Sequence, residues 1–248
     1  MRIVTRIGAA AYALLLAGPS LAAEEGKGII SPTDAWEVVW GDVLIDLFVI
    51  GGVFGLLAVY MLIKFRAKGP NAVGTAKPLT AGVALAFALV PAALFMADDF
   101  LLAAKGWSLW NIQRTVPAGA MEVKVVGSQW SFEFDYGNGI KSGELVVPVG
   151  KPIVLRLTST DVIHSFGLSH YRMQEALGPG RINHLWFYPD KAVETFVTCQ
   201  EFCGDSHSVM NAPVKAVPQA DFDKWLASKK KASLKAPSFA SLTIDPAI

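Results

Sequence analysis

Two long apolar runs near the start of the chain limit the folds that it can adopt. The first covers residues 43–63, and the second covers residues 79–96 and continues to residue 104. Each reaches the roughly 20 residues that a helix needs to cross the hydrocarbon core of a bilayer. Neither has the polar face on a 3.6-residue period that a helix of a soluble bundle would show. The two runs therefore predict a transmembrane hairpin over residues 43–104.

The charges around these runs predict their orientation. The loop between the runs carries Lys64, Arg66, Lys68 and Lys77 and no acidic residue, whereas acidic residues predominate in residues 23–42. By the positive-inside rule the loop lies in the cytoplasm and both flanks lie outside. Residues 23–42 are then predicted to be a periplasmic N-terminal segment.

The first residues are typical of a secretory signal peptide. Arg2 and Arg6 precede an apolar run over residues 7–17, and small residues at 20 and 22 suit a signal peptidase. The run is too short to span a bilayer comfortably. We predict a signal peptide over residues 1–22 with cleavage after Ala22.

Beyond the hairpin the hydrophobic period changes from helical to strand-like. Residues 121–127 and 130–136 alternate apolar and polar side chains, and turn residues separate several further short strand candidates. Strands at this spacing predict an antiparallel sandwich or barrel of about 100 residues. We assign it to residues 119–218, followed by a C-terminal helix and tail over residues 219–248.

The totals exclude two classes of protein. Lys and Arg number 22 against 21 Asp and Glu, so net charge gives no case for nucleic-acid binding. The 2 cysteines lie in one loop, so the fold is not a disulfide framework.

That loop contains four candidate metal ligands, Cys199, Cys203, His207 and Met210, and His164 lies upstream. Thiolate, imidazole and thioether together favour copper or zinc over magnesium or calcium. A single trigonal copper uses one Cys, two His and a weak Met, so the second cysteine suits two coppers bridged by both thiolates. A closed zinc site would leave Met210 unused, and a Cys199–Cys203 disulfide would leave the histidines unexplained. Copper is favoured, with both alternatives open.

The spacing Cys-x-Glu-x-Cys-Gly-x-x-His-x-x-Met resembles the binuclear copper (Cu-A) loop of subunit II of haem-copper (cytochrome c) oxidases. Residues 161–165, Asp-Val-Ile-His-Ser, match that family's upstream histidine block, and residues 179–183 and 222–225 resemble its later landmarks. The resemblance covers nearly the whole mature chain. It implies a membrane-anchored all-β protein in which two transmembrane helices precede a cupredoxin-like Greek-key β-sandwich, the Cu-A domain.

The resemblance also implies residue roles. The implied copper ligands are the bridging thiolates of Cys199 and Cys203, the imidazoles of His164 and His207, the thioether of Met210 and the backbone carbonyl of Glu201. The Glu201 carboxylate would face a magnesium site shared with the catalytic subunit. Trp130 matches the aromatic residue through which electrons enter from cytochrome c.

The function implied is that of an electron-entry subunit of a proton-translocating oxidoreductase. It would pass electrons from cytochrome c through Cu-A to haem in the catalytic subunit, where oxygen is reduced to water, and would not itself perform that reduction. Its implied partners are the haem-copper catalytic subunit I, subunit III and cytochrome c or a similar donor. The implied location is the bacterial cytoplasmic membrane, crossed more than once, with the Cu-A domain in the periplasm or outside the cell.

Residues 77–80 depart from the family, because the glutamate that often feeds a proton channel there is missing. This departure keeps a second hypothesis open, namely the Cu-A subunit of a related nitric oxide reductase. A membrane-tethered copper electron carrier without a haem partner is a third.

Overall fold

A computed structural model describes residues 29–74 and 77–235 of the chain. These residues form two compact units, one of residues 34–111 and one of residues 29–33 together with 112–235. The predicted signal peptide and the end of the predicted tail lie outside the described residues.

The first unit is built from two long helices, α1 (Pro32–Lys64) and α2 (Ala81–Arg114). Both are long and apolar enough to cross a membrane, and the most apolar window of each is not buried within the protein. The prediction of two membrane-crossing helices is confirmed. Each helix extends beyond its apolar run. Helix α1 begins at Pro32 because proline suits the first position of a helix, where its missing N–H costs nothing.

An ion pair joins these two helices. The ammonium of Lys105 on α2 lies 2.7 Å from the Asp42 carboxylate on α1, and the Asp42 side chain is only 7% exposed. Pro91 lies inside α2, which continues through it. The ion pair fixes one end of the hairpin.

The second unit is a sandwich of two five-stranded sheets. Its first five strands are β1 (Met121–Ser128), β2 (Ser131–Asp135), β3 (Lys141–Ser142), β4 (Leu145–Pro148) and β5 (Ile153–Ser159). The other five are β6 (His164–Leu168), β7 (Met173–Leu177), β8 (Asn183–Phe187), β9 (Val193–Cys199) and β10 (Asn211–Val217), and helix α3 (Gln219–Lys235) follows. The sheet orders are β3-β2-β1-β5-β8 and β4-β10-β9-β6-β7.

The predicted fold class, two transmembrane helices followed by a β-sandwich, is confirmed. The description of the chain as all-β is approximate, because α1 and α2 alone comprise 33 and 34 residues. The predicted antiparallel arrangement is wrong at two strand pairs, since β1 pairs with β5 and β4 pairs with β10 in parallel. Hydrophobic alternation reports which face of a strand is buried but not the direction of the neighbouring strand.

Apolar side chains from both sheets fill the space between them. Phe134 of the first sheet meets Phe166 of the second edge-to-face, with ring centroids 6.2 Å apart, and Leu155 and Leu177 are fully buried. Strands β6 and β9 carry the candidate ligands His164 and Cys199. Because the core beneath these strands is closely packed, it supports them rigidly.

Within the second unit, helix α3 packs against the sandwich through aromatic and charged contacts. The Trp225 and Tyr136 ring centroids lie 5.0 Å apart, and Trp225 Nε1 donates a hydrogen bond to Glu144 Oε1 at 3.2 Å. Lys215 and Lys229 form ion pairs with the same carboxylate. Burial raises the pKa of Glu144, but the hydrogen bonds from Trp225 and Lys215 and the two lysine charges outweigh it and lower that pKa.

Candidate metal centre

The end of the second sheet brings the candidate ligands together. His164 begins β6 and Cys199 ends β9, and these neighbouring strands pair with Cys199 opposite Phe166. The loop that follows β9 returns to β10, and the Cys199 N–H donates to the Met210 carbonyl at 3.0 Å. The backbone therefore closes the loop on itself and directs its side chains to one point.

The two cysteine sulfurs lie at the centre of this cluster. Cys199 Sγ and Cys203 Sγ are 3.7 Å apart. The ligand atoms of His164, Cys199 and Cys203 all lie within 4.8 Å of one another, and all three residues are buried. Thiolates and an imidazole so placed fit a site for a metal ion.

The other candidate ligands extend the cluster on both sides of the sulfurs. Nδ1 of His164 lies 3.8 Å from Cys199 Sγ, and Nδ1 of His207 lies 3.6 Å from Cys203 Sγ. The Glu201 carbonyl oxygen is 3.2 Å from Cys199 Sγ, and Met210 Sδ is 3.7 Å from Cys203 Sγ. All six donor atoms expected from the sequence thus form one continuous group, although their roles as copper ligands stay predictions.

Both cysteines are free thiols. Their sulfurs are much too far apart for a disulfide, whose bond is about 2.05 Å long, so the disulfide alternative is wrong. Burial, together with the neighbouring Cys199 thiol, raises the pKa of Cys203 to about 11. Because a metal binds the thiolate, loading of the site must release protons.

Asp161 holds the His164 imidazole in place. His164 is fully buried, and its Nε2 lies 2.8 Å from Asp161 Oδ1. The backbone N–H groups of Gln129 and Val162 donate to the same carboxylate at 2.7 and 2.6 Å. A proton on Nε2 donates to Asp161 and leaves the Nδ1 lone pair free on the side of Cys199.

These donors keep Asp161 ionised. Burial raises the pKa of Asp161, but the hydrogen bonds from His164, from the two backbone N–H groups and from Ser159 lower it well below its usual value. The sequence predicts no role for Asp161, although the residue belongs to the Asp-Val-Ile-His-Ser block that contains His164. Its position three residues before His164 was the signal that could have revealed the contact.

Trp130 lies beside the loop and reaches the surface, with 39% of its area exposed. The preceding residue, Gln129, donates from Nε2 to the Cys203 carbonyl at 2.7 Å. The structure thus brings Trp130 next to the candidate metal loop. Its expected role in electron uptake stays a prediction.

Two helices able to cross a membrane, followed by a β-sandwich with a buried Cys–His cluster, define the class of this protein, a membrane-anchored β-sandwich domain with a candidate metal site. Residues 139–217 match the family model of the cytochrome c oxidase subunit II periplasmic domain. Residues 139–217 are thus similar to the periplasmic domain of cytochrome c oxidase subunit II, and the resemblance inferred from the sequence is confirmed. The family's copper chemistry agrees with the soft donor set of the cluster.

Individual relatives carry the same description. The alternative cytochrome c oxidase subunit 2 of Bradyrhizobium diazoefficiens is 30% identical over 159 residues, which cover 51% of this chain and 57% of the relative. Cytochrome c oxidase subunit 2 of Cereibacter sphaeroides is 26% identical over 235 residues, covering 77% of this chain and 76% of the relative. The chain thus spans little more than half of the first relative and three quarters of the second.

Among solved structures, the periplasmic domain of cytochrome oxidase subunit II of Bradyrhizobium japonicum is similar to this chain. It is 29% identical and has a TM-score of 0.45, with 48% of this chain and 99% of that chain covered.

Proposed function

We propose that this chain is the electron-entry subunit of a haem-copper cytochrome c oxidase. In this role it accepts electrons from cytochrome c at a binuclear Cu-A centre and passes them to haem in the catalytic subunit, where oxygen is reduced to water. The observation that carries the proposal is the continuous group of six donor atoms around the two free cysteine sulfurs.

The donor set supports two coppers rather than a single metal. Two thiolates 3.7 Å apart can each contact two metal ions, and an imidazole lies next to each sulfur. The Met210 thioether and the Glu201 carbonyl supply one further donor beside each cysteine. A closed zinc site of two Cys and two His would leave Met210, which is 2% exposed and in sulfur contact, without a role.

The protein's part in electron transfer is to hold these donors still. The pair of coppers, when bound, would take up and release one electron shared between both ions. Asp161 fixes the ring of His164, the β6–β9 pairing fixes Cys199, and the loop hydrogen bonds fix Met210. Because both cysteines are buried in the sandwich, water is excluded from the two sulfurs, and little rearrangement is needed between oxidation states.

Electrons would arrive through Trp130, whose exposed ring lies between the surface and the loop. Subunits I and III are the proposed partners in a bacterial cytoplasmic membrane, with α1 and α2 as the anchor and the sandwich in the periplasm. The exposed side chain of Glu201 is the proposed ligand of a magnesium ion shared with subunit I.

A related nitric oxide reductase is the second candidate for the complex that receives the electrons. The observation that favours it is the absence of a glutamate in residues 77–80 at the start of the second apolar run. The copper centre and the path through Trp130 would be the same in both complexes.

The experiment is to purify the full-length chain from membranes in mild detergent with its bound partners. We expect haem to copurify and reduced cytochrome c to support oxygen consumption, and we expect Cys203→Ser to abolish that activity while haem still copurifies. Consumption of nitric oxide instead of oxygen would favour the reductase. A preparation without haem would refute both and leave a tethered copper carrier.

A further inference from the structure

The glycine that follows the second cysteine lies in unusually close contact with Trp130. Gly204 has a φ of +124°, a backbone conformation that side chains of L-residues rarely adopt. A Cβ at this position would lie 3.2 Å from Trp130 Nε1 and 3.3 Å from Trp130 Cζ2. The edge of the indole that carries Nε1 and Cζ2 therefore lies directly against the backbone of the metal loop.

Gln129 occupies the rest of the space around this glycine. The same Cβ would come within 2.9 Å of Gln129 Nε2, closer than real Cβ atoms approach other heavy atoms. Gln129 could not easily move away, because its Nε2 donates to the Cys203 carbonyl at 2.7 Å. Its backbone N–H also donates to Asp161 at 2.7 Å.

These contacts fix Trp130 from two directions. Gln129, its neighbour in the chain, is bonded both to the metal loop and to the carboxylate that orients His164. The backbone of Gly204, which has no side chain, lies against one edge of the Trp130 ring. Trp130 itself is 39% exposed and can be reached by an incoming partner. The indole thus bridges the surface and the residue that follows Cys203.

We propose that Gly204 and Gln129 are positioning residues that seat the Trp130 indole against the metal loop and so set the rate of electron uptake. The inference rests on the proposed function of Trp130 in electron uptake. One electron passes from the reduced haem of the donor to the oxidised metal centre, and Trp130 is the bridge. It neither gains nor loses an electron overall, and no proton moves.

The physical reason is the steep dependence of electron tunnelling on the length and packing of the bridge. A methyl group at position 204 would push the ring and the Gln129 amide away from the loop. A misplacement of about 1 Å can cost a reaction up to a hundredfold in rate, so we expect Gly204→Ala to slow electron uptake by about tenfold or more.

The matched control is Gly150→Ala. Gly150 also has a positive φ, +79°, but a Cβ there would meet nothing within 4 Å. This variant introduces a side chain at a positive φ without crowding a neighbour. We expect it to leave both the rate of electron uptake and the Trp130 ring unchanged.

Two readouts are measured on the full-length chain in detergent, the first within its complex and the second on the chain purified alone. The first is the rate of electron uptake from pre-reduced cytochrome c in a stopped-flow experiment, with copper content measured alongside. The second is the indole N–H resonance of Trp130 in chain labelled with 15N-tryptophan and purified alone, assigned among the 7 tryptophans by its loss in Trp130→Phe.

We expect Gly204→Ala to retain copper, to shift the Trp130 resonance and to slow electron uptake. In a Trp130→Ala background, Gly204→Ala should cause no further slowing. Equal slowing in both backgrounds would overturn the proposal, because Gly204 would then act on the metal loop and not on Trp130. An unshifted Trp130 resonance would overturn it as well.

Gln129→Met provides a second variant in case Gly204→Ala does not fold. It keeps the length of the side chain and removes the donor to Cys203, and the same shift and slowing are expected. If Trp130→Ala itself does not slow electron uptake, the proposed role of Trp130 fails. The contact of Gly204 and Gln129 with the Trp130 ring is then tested separately by the shift of the Trp130 resonance, which needs no electron donor.

Discussion

Asp161→Asn tests how the protein prepares its candidate metal site. Three N–H groups, from Gln129, Val162 and His164, converge on the two carboxylate oxygens. An asparagine has one oxygen and one NH2 group, so its NH2 must face at least one of these donors. Either the His164 ring loses its acceptor or the backbone around Gln129 is displaced.

The expected cost follows from the bond that is lost. A hydrogen bond to a charged group contributes about 1.5–3 kcal/mol, and loss of the partner of a metal-binding histidine typically lowers metal affinity 10- to 100-fold, roughly 1.4–2.7 kcal/mol. The two ranges of free energy overlap. The full cost is expected because the His164 ring is fully buried, so water cannot replace the lost carboxylate acceptor. We therefore expect a 10- to 100-fold weaker affinity for copper.

The assay is a titration of the full-length chain in detergent against a competing copper chelator, with circular dichroism as a check of folding. Asp135→Asn is the matched control, because Asp135 Oδ1 accepts one N–H, from Gly137 at 2.7 Å, and an amide oxygen can replace it. Copper affinity that is unchanged in Asp161→Asn, or equally weakened in both variants, would refute this account of His164.

Three further predictions test the site and the fold. Cys199→Ser should remove the spectroscopic signal of a binuclear centre, whereas Trp130→Ala should keep that signal and slow electron uptake; identical behaviour would contradict the separation of the two roles. Leu155→Ala should lower the free energy of unfolding by about 2–5 kcal/mol in a denaturant titration, because Leu155 is fully buried between the sheets. Glu144→Gln should cost about 1 kcal/mol at pH 7, and the difference from wild type should shrink as the pH falls below about 4. The sign follows because folding lowers the pKa of this carboxyl. Its contribution to stability is fully present above the unfolded pKa, near the ordinary value of 4.5, and is lost as the pH falls through the folded value. An equal difference at pH 7 and pH 3 would contradict this assignment.

Sequence reasoning found the parts of this protein that are encoded locally. The membrane helices follow from the length of two apolar runs. The donors of the loop from Cys199 to Met210 follow from residue types at short spacings, and His164 follows as an upstream candidate of the same chemistry. The resemblance to subunit II added the Glu201 carbonyl. These features can be read without knowledge of which strands pair.

The features that escaped prediction depend on the assembled sandwich. The parallel pairing of β1 with β5 depends on how the chain returns after β2, β3 and β4, which hydrophobic alternation does not record. The contact of Asp161 with Gln129 joins residues 32 positions apart, and that of Gln129 with Cys203 joins residues 74 positions apart. The importance of Gly204 likewise becomes visible only once Trp130 lies against it.

The central claim is that the six donors hold two coppers that share one electron. Its most direct test is to load the purified full-length chain with copper, measure the copper content and record the electron paramagnetic resonance spectrum. The account predicts a purple protein with two coppers per chain and a mixed-valence signal in which the unpaired electron couples to both nuclei. A colourless preparation holding one zinc, or a signal from a single copper nucleus, would contradict it.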